Sequence, residues 1–247
     1  MLKYWFNLVL LFSFSCIPMN KPLVIGHRGA MGHETENTIA SINKALEMGV
    51  DMIEIDVFKI KSGEIVVFHD DTLERLTNGK GNIEEYTLTE LNKLTVIGNH
   101  KIPLLTDVLE TIDAQVPLNI ELKGANTAKD VTTIVLEYVK DKDWILNDFI
   151  ISSFNWEELK IMRDTNSSIR IAVLTEETPV AAIPIAKELH AEAINPNFKM
   201  LSLEIANTIR DAGFKIYTWT VNSPNDINLS KRWAVDGIIT NFPERVN

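Results

Sequence analysis

Eight short apolar runs, each parted from the next by a stretch long enough for a helix, constrain this chain more than any other feature. The runs fall at 23–27, 52–58, 118–123, 149–153, 170–174, 192–195, 215–221 and 237–240. Between them the apolar period changes. Ile39, Ile42, Ala45 and Leu46 share one face of a helix that Asn37-Thr38 opens and Gly49 stops. Val131, Ile134, Val135, Tyr138 and Val139 form a second helical stripe, and Ser223-Pro224 opens a third helix in cap and first-turn order. Strands alternating with helices predict a parallel sheet in an α/β fold. Eight of them is the number that closes a (β/α)8 TIM barrel, and 247 residues is close to the usual ~250. A doubly wound open sheet is the alternative, but Gly26-His27-Arg28-Gly29 is not the Gly-rich phosphate turn of such a sheet.

One stretch breaks the alternation. The apolar run 65–68 follows 52–58 after too few residues for a parallel crossover, which needs a dozen or more. The two therefore pair as a hairpin through Lys61-Ser62-Gly63, which returns His69 towards the second strand. Residues 70–105 are polar and irregular, with turn signals at Asn78-Gly79, Gly81 and Gly98, and read as a small insertion holding a short helix near Leu88 to Leu94. Thr106 is expected to cap the next helix, to Ile112. Pro184, inside a helical pattern, is expected to break or restart its helix.

The second run carries the first chemical signal. Strand side chains alternate faces, so Glu54 and Asp56 point the same way between Ile53, Ile55 and Val57. Two adjacent carboxylates raise each other's pKa unless a cation neutralises them, and a hard divalent ion with oxygen ligands does so. An exposed edge strand would also show this pattern. The company decides the matter: His27-Arg28 ends the first run, His69-Asp70 follows the hairpin return, Glu121 and Lys123 repeat the i, i+2 spacing, and Trp219 lies on the seventh strand. In a barrel these strand ends meet at one mouth, where catalytic groups sit. Phe154 and Asn222 stand near the same rim with weaker claims, His33 reads as a solvated loop residue, and His100 and His190 read as structural.

The net charge of −10 argues against nucleic acid as a partner, which needs clustered Lys and Arg. It leaves room for a small phosphate-bearing substrate. The single cysteine, Cys16, excludes an intramolecular disulfide. Lys3, an apolar run from Tyr4 to Phe14 and then Ser15-Cys16 suit a secretory signal over residues 1–16, the run being too short to span a bilayer. A small residue before Cys16 is the pattern of a bacterial lipoprotein site, although Ser13-Phe14-Ser15 departs from the usual Leu-small-small. The expectation is an exported, cell-envelope protein with membrane attachment through lipidated Cys16, or else a soluble secreted form, with one domain over 17–247.

Taken together, several segments resemble the glycerophosphodiester phosphodiesterase family. They are Gly26-His27-Arg28-Gly29-Ala30 with Glu36-Asn37-Thr38, Glu54-Ile55-Asp56-Val57, and His69-Asp70-Asp71-Thr72-Leu73 with Arg75 and Gly79. Glu121-Leu122-Lys123, Trp219-Thr220-Val221-Asn222 and Asp236-Gly237-Ile238-Ile239-Thr240 continue the match in order to the C-terminus. Thr35 stands where the family usually has Pro, and Asn241 where it often has Asp, a change expected to alter only the rim.

The resemblance implies a TIM barrel, a bound Mg2+ or Ca2+, and hydrolysis of a glycerophosphodiester to sn-glycerol 3-phosphate and an alcohol. It assigns Glu54, Asp56 and Glu121 as metal ligands, His27 and His69 as the acid/base pair, and Arg28 and Lys123 as phosphate contacts. Trp219 is the candidate wall for the glycerol or the alcohol. Two other readings compete: a phospholipase C or lysophospholipase D-like enzyme on the same barrel, and a surface lipoprotein without catalysis.

Overall fold

The structure, a computed structural model, describes residues 21–246. The expected signal over residues 1–16 and its Cys16 lie outside the described residues. Among these, nine strands form one sheet: β1 (Leu23–Gly26), β2 (Met52–Lys59), β3 (Ile65–Val67), β4 (Leu118–Leu122), β5 (Phe149–Ser153), β6 (Arg170–Thr175), β7 (Ala193–Pro196), β8 (Lys215–Thr218) and β9 (Gly237–Thr240). β1 pairs in parallel with both β9 and β2, so eight parallel strands close into a ring, the (β/α)8 barrel. Eight α-helices accompany them: α1 (Ile39–Glu47), α2 (Leu88–Leu91), α3 (Leu105–Ile112), α4 (Ala128–Asp141), α5 (Trp156–Thr165), α6 (Ile183–Glu188), α7 (Leu203–Asp211) and α8 (Pro224–Arg232). None of the described helices is long and apolar enough to cross a membrane.

The alternation of strand side chains divides the apolar residues into two layers. Ile53, Ile55 and Val57 of β2 face outward and join the large core between strands and helices. Ile25, Met52, Ile150, Ala172, Ala193 and Tyr217 form a smaller cluster inside the barrel. At Ala193–Pro196 and elsewhere the strands lie within a residue of their sequence positions, but β8 ends at Thr218 rather than running on to Val221.

The hairpin forms as its spacing requires, with Val57 opposite Val67 and Lys59 opposite Ile65, and with Gly63 at φ 104° in the turn. β1 pairs with β2 only as far as Ile53, and β3 takes the vacated edge from Val57 onward. Phe58 of β2 and Val66 of β3, with Phe68, Leu73, Ile83 and Val96 beyond them, form the centre of a satellite core. The insertion is thus packed, and it delivers the segment that carries His69 back to the mouth.

One helix start differs from the sequence reading and another follows it. Thr106 lies inside α3; Leu104 is the cap, and its N–H donates to Asp107 Oδ2 at 2.9 Å. The acid three residues on ties back to the N–H of the cap residue, the reciprocal half of a capping box, while no side chain caps the first helical N–H groups. Pro184 marks the expected restart: a 3-10 turn over Pro179–Ala182 ends and α6 begins at Ile183, leaving Pro184 in its first turn, where no N–H is needed.

Candidate active site

The loop after β1 is built around the second strand. Arg28 and Asn37 take positive φ values of 51° and 54°, left-handed conformations that non-glycine residues avoid, and hydrogen bonds hold them there. Arg28 N–H donates to Glu54 Oε2 at 2.8 Å, and Asn37 N–H donates to Arg28 O at 3.1 Å. The Asn37 side chain meets Asp56 twice, Nδ2 donating to Oδ2 at 2.9 Å and Oδ1 accepting from the Asp56 N–H at 3.3 Å. Between them Gly29, at φ 80°, leaves no space for a side chain: a Cβ there would lie 2.6 Å from the Ser41 backbone.

Glu54 and Asp56 are 3 % and 1 % exposed, so the edge-strand reading is wrong and these are buried charges. One oxygen from each of Glu54, Asp56 and Glu121 can be chosen so that all three lie within 4.8 Å of one another. Burial and the Asp56 and Glu121 charges push the Glu54 carboxyl well above its usual range, and burial and Asp56 push Glu121 up to about 7. Lys123 Nζ is 3.1 Å from Glu121 Oε1, but without hydrogen-bond geometry, so that buried oxygen keeps an unused lone pair. Three hard oxygen donors, with Glu54 and Glu121 pushed towards protonation and one oxygen orphaned, fit a divalent cation of the Mg2+ or Ca2+ type.

The remaining predicted residues surround this cluster. His27 Nδ1–H donates to Asn241 Oδ1 at 2.7 Å, and Asn222 Oδ1 accepts from the Asn241 N–H at 2.9 Å. Asn241 is therefore in direct contact with one of the two histidines rather than only part of the rim. Burial and the neighbouring Arg28 charge lower the His27 pKa to about 4, which leaves the ring neutral with Nε2 available. His69 Nδ1–H donates to Asp70 Oδ1 at 2.7 Å, and its Nε2 lies 3.4 Å from Lys123 Nζ.

A pocket of about 430 Å³, open to solvent, is lined by His27, Arg28, Glu54, His69, Glu121, Lys123 and Trp219, among others. All the predicted site residues line it except Asp56, which lies behind Arg28 with Oδ2 3.3 Å from the Arg28 Nε. Trp219 Nε1–H donates to Asn195 O at 2.9 Å, and its ring meets Phe154 edge-on with centroids 5.4 Å apart, making the apolar wall. His33 leans away to Glu244 Oε2 at 3.0 Å.

Glu36 and Arg75 were legible only as parts of a resemblance; the structure gives them a place. Arg28 Nη1 donates to Glu36 Oε1 at 2.6 Å, and Arg75 binds the same carboxylate. Burial opposes its ionisation, but the Arg75 and Arg28 hydrogen bonds hold Glu36 at about 2.

Residues 27–245 match the glycerophosphoryl diester phosphodiesterase family, and the chain belongs to that family. A glycerophosphodiester phosphodiesterase of Caldanaerobacter subterraneus subsp. tengcongensis is 34 % identical over 91 % of this chain and 96 % of its own. A solved phosphodiesterase of Oleispira antarctica, in complex with the product sn-glycerol-3-phosphate, superposes with a TM-score of 0.82 at 28 % identity, covering 91 % of this chain and 95 % of that one. A human lysophospholipase D is 24 % identical over 90 % of this chain and 84 % of its own.

Proposed function

We propose that this protein hydrolyses glycerophosphodiesters, the deacylated skeletons of phospholipids, to sn-glycerol 3-phosphate and an alcohol. The observation that carries the reading is the meeting of two imidazoles, two cations and three clustered carboxylates around one pocket. The names of the bacterial relatives and the product bound in the Oleispira antarctica enzyme support it.

Glu54, Asp56 and Glu121 would hold the cation, Mg2+ or Ca2+. When bound, such an ion polarises a phosphoryl oxygen and offsets charge that builds on it. Arg28 and Lys123 hold the phosphate oxygens and stabilise the same developing charge from the protein side. His27, neutral and with Nδ1 tied to Asn241, takes the proton of the attacking hydroxyl at Nε2. His69, with Nδ1 tied to Asp70, gives the leaving alcohol its proton from Nε2. The attacking group is the substrate's own glycerol hydroxyl, which forms a cyclic phosphate that water then opens with the two histidines exchanging roles. Failure to trap a cyclic phosphate by phosphorus NMR would count against that step.

His69→Ala tests the enzyme reading against a binding protein with a relic site. Hydrolysis of glycerophosphocholine should fall to background while the fold is kept. Full retention of hydrolysis would remove His69 from the mechanism. A second reading, a lyso-lipid substrate, is favoured by the half-exposed Phe154 beside Trp219 and the exposed Met200 and Leu203 beyond β7. Turnover of lysophosphatidylcholine against glycerophosphocholine separates the two. Export, with attachment through Cys16, is proposed from the leader pattern alone; Cys16→Ser followed by membrane fractionation checks it.

A further inference from the structure

Lys123 follows β4 directly, with its own N–H donating to Val57 O of β2 at 3.1 Å. On both sides of it the chain is tied to β5 and α5. Before it, Ser153 Oγ–H donates to Leu122 O at 2.7 Å. After it, Glu158 of α5 gathers the loop that leads into α4. Glu158 Oε1 accepts from the Asn126 N–H at 2.6 Å, and Oε2 accepts from the Thr127 N–H at 3.1 Å and the Ala128 N–H at 2.9 Å. Glu158 is only 3 % exposed, and a carboxylate that deep is costly unless such donors meet it.

A plain helix cap would be simpler. Thr127 holds the cap position of α4 and is a residue type suited to it, yet its side chain makes no cap bond. The Thr127 hydroxyl donates instead to Gly124 O at 3.0 Å, inside the loop. Asn126 stands at φ 59°, a left-handed conformation that its bond to Glu158 helps to hold. A glutamate at the third position of a helix usually reaches back to its own cap residue. Here the N–H of that residue, Asn155, is met by Ser153 Oγ at 2.9 Å, which frees Glu158 to cross to the next helix. The ties at Leu122 and Asn126 bracket Lys123. Phe154 lies between Ser153 and the start of α5, and Lys123 Nζ sits 5.9 Å from its ring centroid, so one body holds the cation and the aromatic wall of the pocket.

We propose that Glu158 is a positioning residue for Lys123, acting on the reaction through the loop of residues 124–127. The inference rests on the phosphodiesterase reading above. Glu158 does not line the pocket. It fixes where the Lys123 ammonium stands, 3.1 Å from Glu121 Oε1 and 3.4 Å from His69 Nε2, so that phosphate meets a cation already in place. Lysine carries its charge on a flexible stem, and its backbone must be held if the charge is to stay in one position. A loop released at Asn126 lets the ammonium drift, and a displacement of about 1 Å is enough to cost a reaction heavily.

The test uses the full chain with Mg2+ or Ca2+ present, at a temperature well below the Tm of every variant. Two quantities are read: the Kd of sn-glycerol 3-phosphate by calorimetry, which needs no turnover, and kcat for glycerophosphocholine. In Glu158→Ala the Kd should rise and kcat should fall, each about ten-fold. In Lys123→Ala the Kd should rise at least as far, and adding Glu158→Ala to it should change the Kd by less than two-fold, because the group it positions is gone. Glu158→Gln keeps the shape and one accepting oxygen, so its losses should lie between those of the wild type and Glu158→Ala; it decides the matter if Glu158→Ala does not fold. A folded variant with wild-type Kd and kcat and only a lower Tm would make Glu158 a helix cap and overturn the proposal. A further loss of binding in the double variant, as large as that in Glu158→Ala alone, would overturn it too. A wild type that neither binds sn-glycerol 3-phosphate nor releases it from glycerophosphocholine overturns the phosphodiesterase reading and this inference with it.

Discussion

Arg75 closes a fork on Glu36, its Nη1 and Nη2 each 2.8 Å from a different carboxylate oxygen. The same guanidinium binds Asp70 through Nε at 2.5 Å and Nη2 at 2.8 Å, and Asp70 accepts from His69. On its other side Glu36 accepts from Arg28, whose Nε faces Asp56. One arginine on the inserted segment therefore joins the loop of His69 to the loop of Arg28. The Arg75 hydrogen bond holds the Asp70 carboxyl at about 2, so the pair stays ionised across the neutral range.

Arg75→Ala should lower kcat for glycerophosphocholine on the order of 10–100-fold by freeing the His69 loop, since small misplacements of a reacting group are costly. Arg75→Lys should not rescue it, because an ammonium cannot fork on a carboxylate. Steady-state kinetics of both variants decide this, and an unchanged kcat would mean that the satellite core alone positions His69.

Asn241→Asp should move the acid limb of the kcat/KM profile to higher pH. His27 is held at about 4 by burial and by Arg28. A carboxylate in place of the amide oxygen at 2.7 Å favours the imidazolium and opposes both effects. A profile unmoved by the substitution would show that His27 is not the base.

The stability of cation-free protein should fall as pH rises from about 5 to 8. Glu121 is raised from 4.5 to about 7, so in that window the folded state binds more protons than the unfolded state, and unfolding is favoured by raising pH. A cation bound by the ionised cluster cancels the effect. The gap in Tm between Mg2+-loaded and chelated protein should therefore widen through pH 7, and in Asp56→Asn it should nearly vanish. A gap independent of pH would contradict the assignment of Glu54, Asp56 and Glu121 as ligands.

At the opposite end of the barrel Glu192 accepts from Arg170 at 2.7 Å through both oxygens, and from Lys215 at 3.0 Å. Burial opposes its ionisation, but these bonds hold it at about 2 against an ordinary 4.5. A depressed carboxyl stabilises the fold above its unfolded pKa and loses that contribution as pH falls through its folded pKa. Glu192→Gln should reduce stability at pH 7 by up to about 3 kcal/mol and flatten the loss between pH 5 and 2. Urea melts at several pH values measure both.

Much of this was readable along the chain because it depends on short-range spacing. Glu54 and Asp56 share a face by strand alternation alone, and Thr38 and Ser223 cap their helices through residues three positions on. What escaped depends on distance in sequence. Arg75 and Glu36 are 39 positions apart, and His27 and Asn241 are 214 apart, so neither pairing leaves a local pattern. Ser152, Asn119 and Asn195 look like ordinary polar residues in apolar strands, and only closure of the barrel shows them without partners. The start of α3 escaped because Leu104 has no capping oxygen of its own, and only the Asp107 carboxylate that accepts from its N–H marks it as the cap.

The most direct test of the central claim is release of sn-glycerol 3-phosphate from glycerophosphocholine, measured after exhaustive chelation and again after Mg2+ or Ca2+ is restored. Release that stops with chelation and returns with the cation is the predicted result, and Glu121→Gln should not recover it. Release at an undiminished rate in chelated protein, or none under either ion, would contradict the assignment of a cation-assisted diester hydrolase.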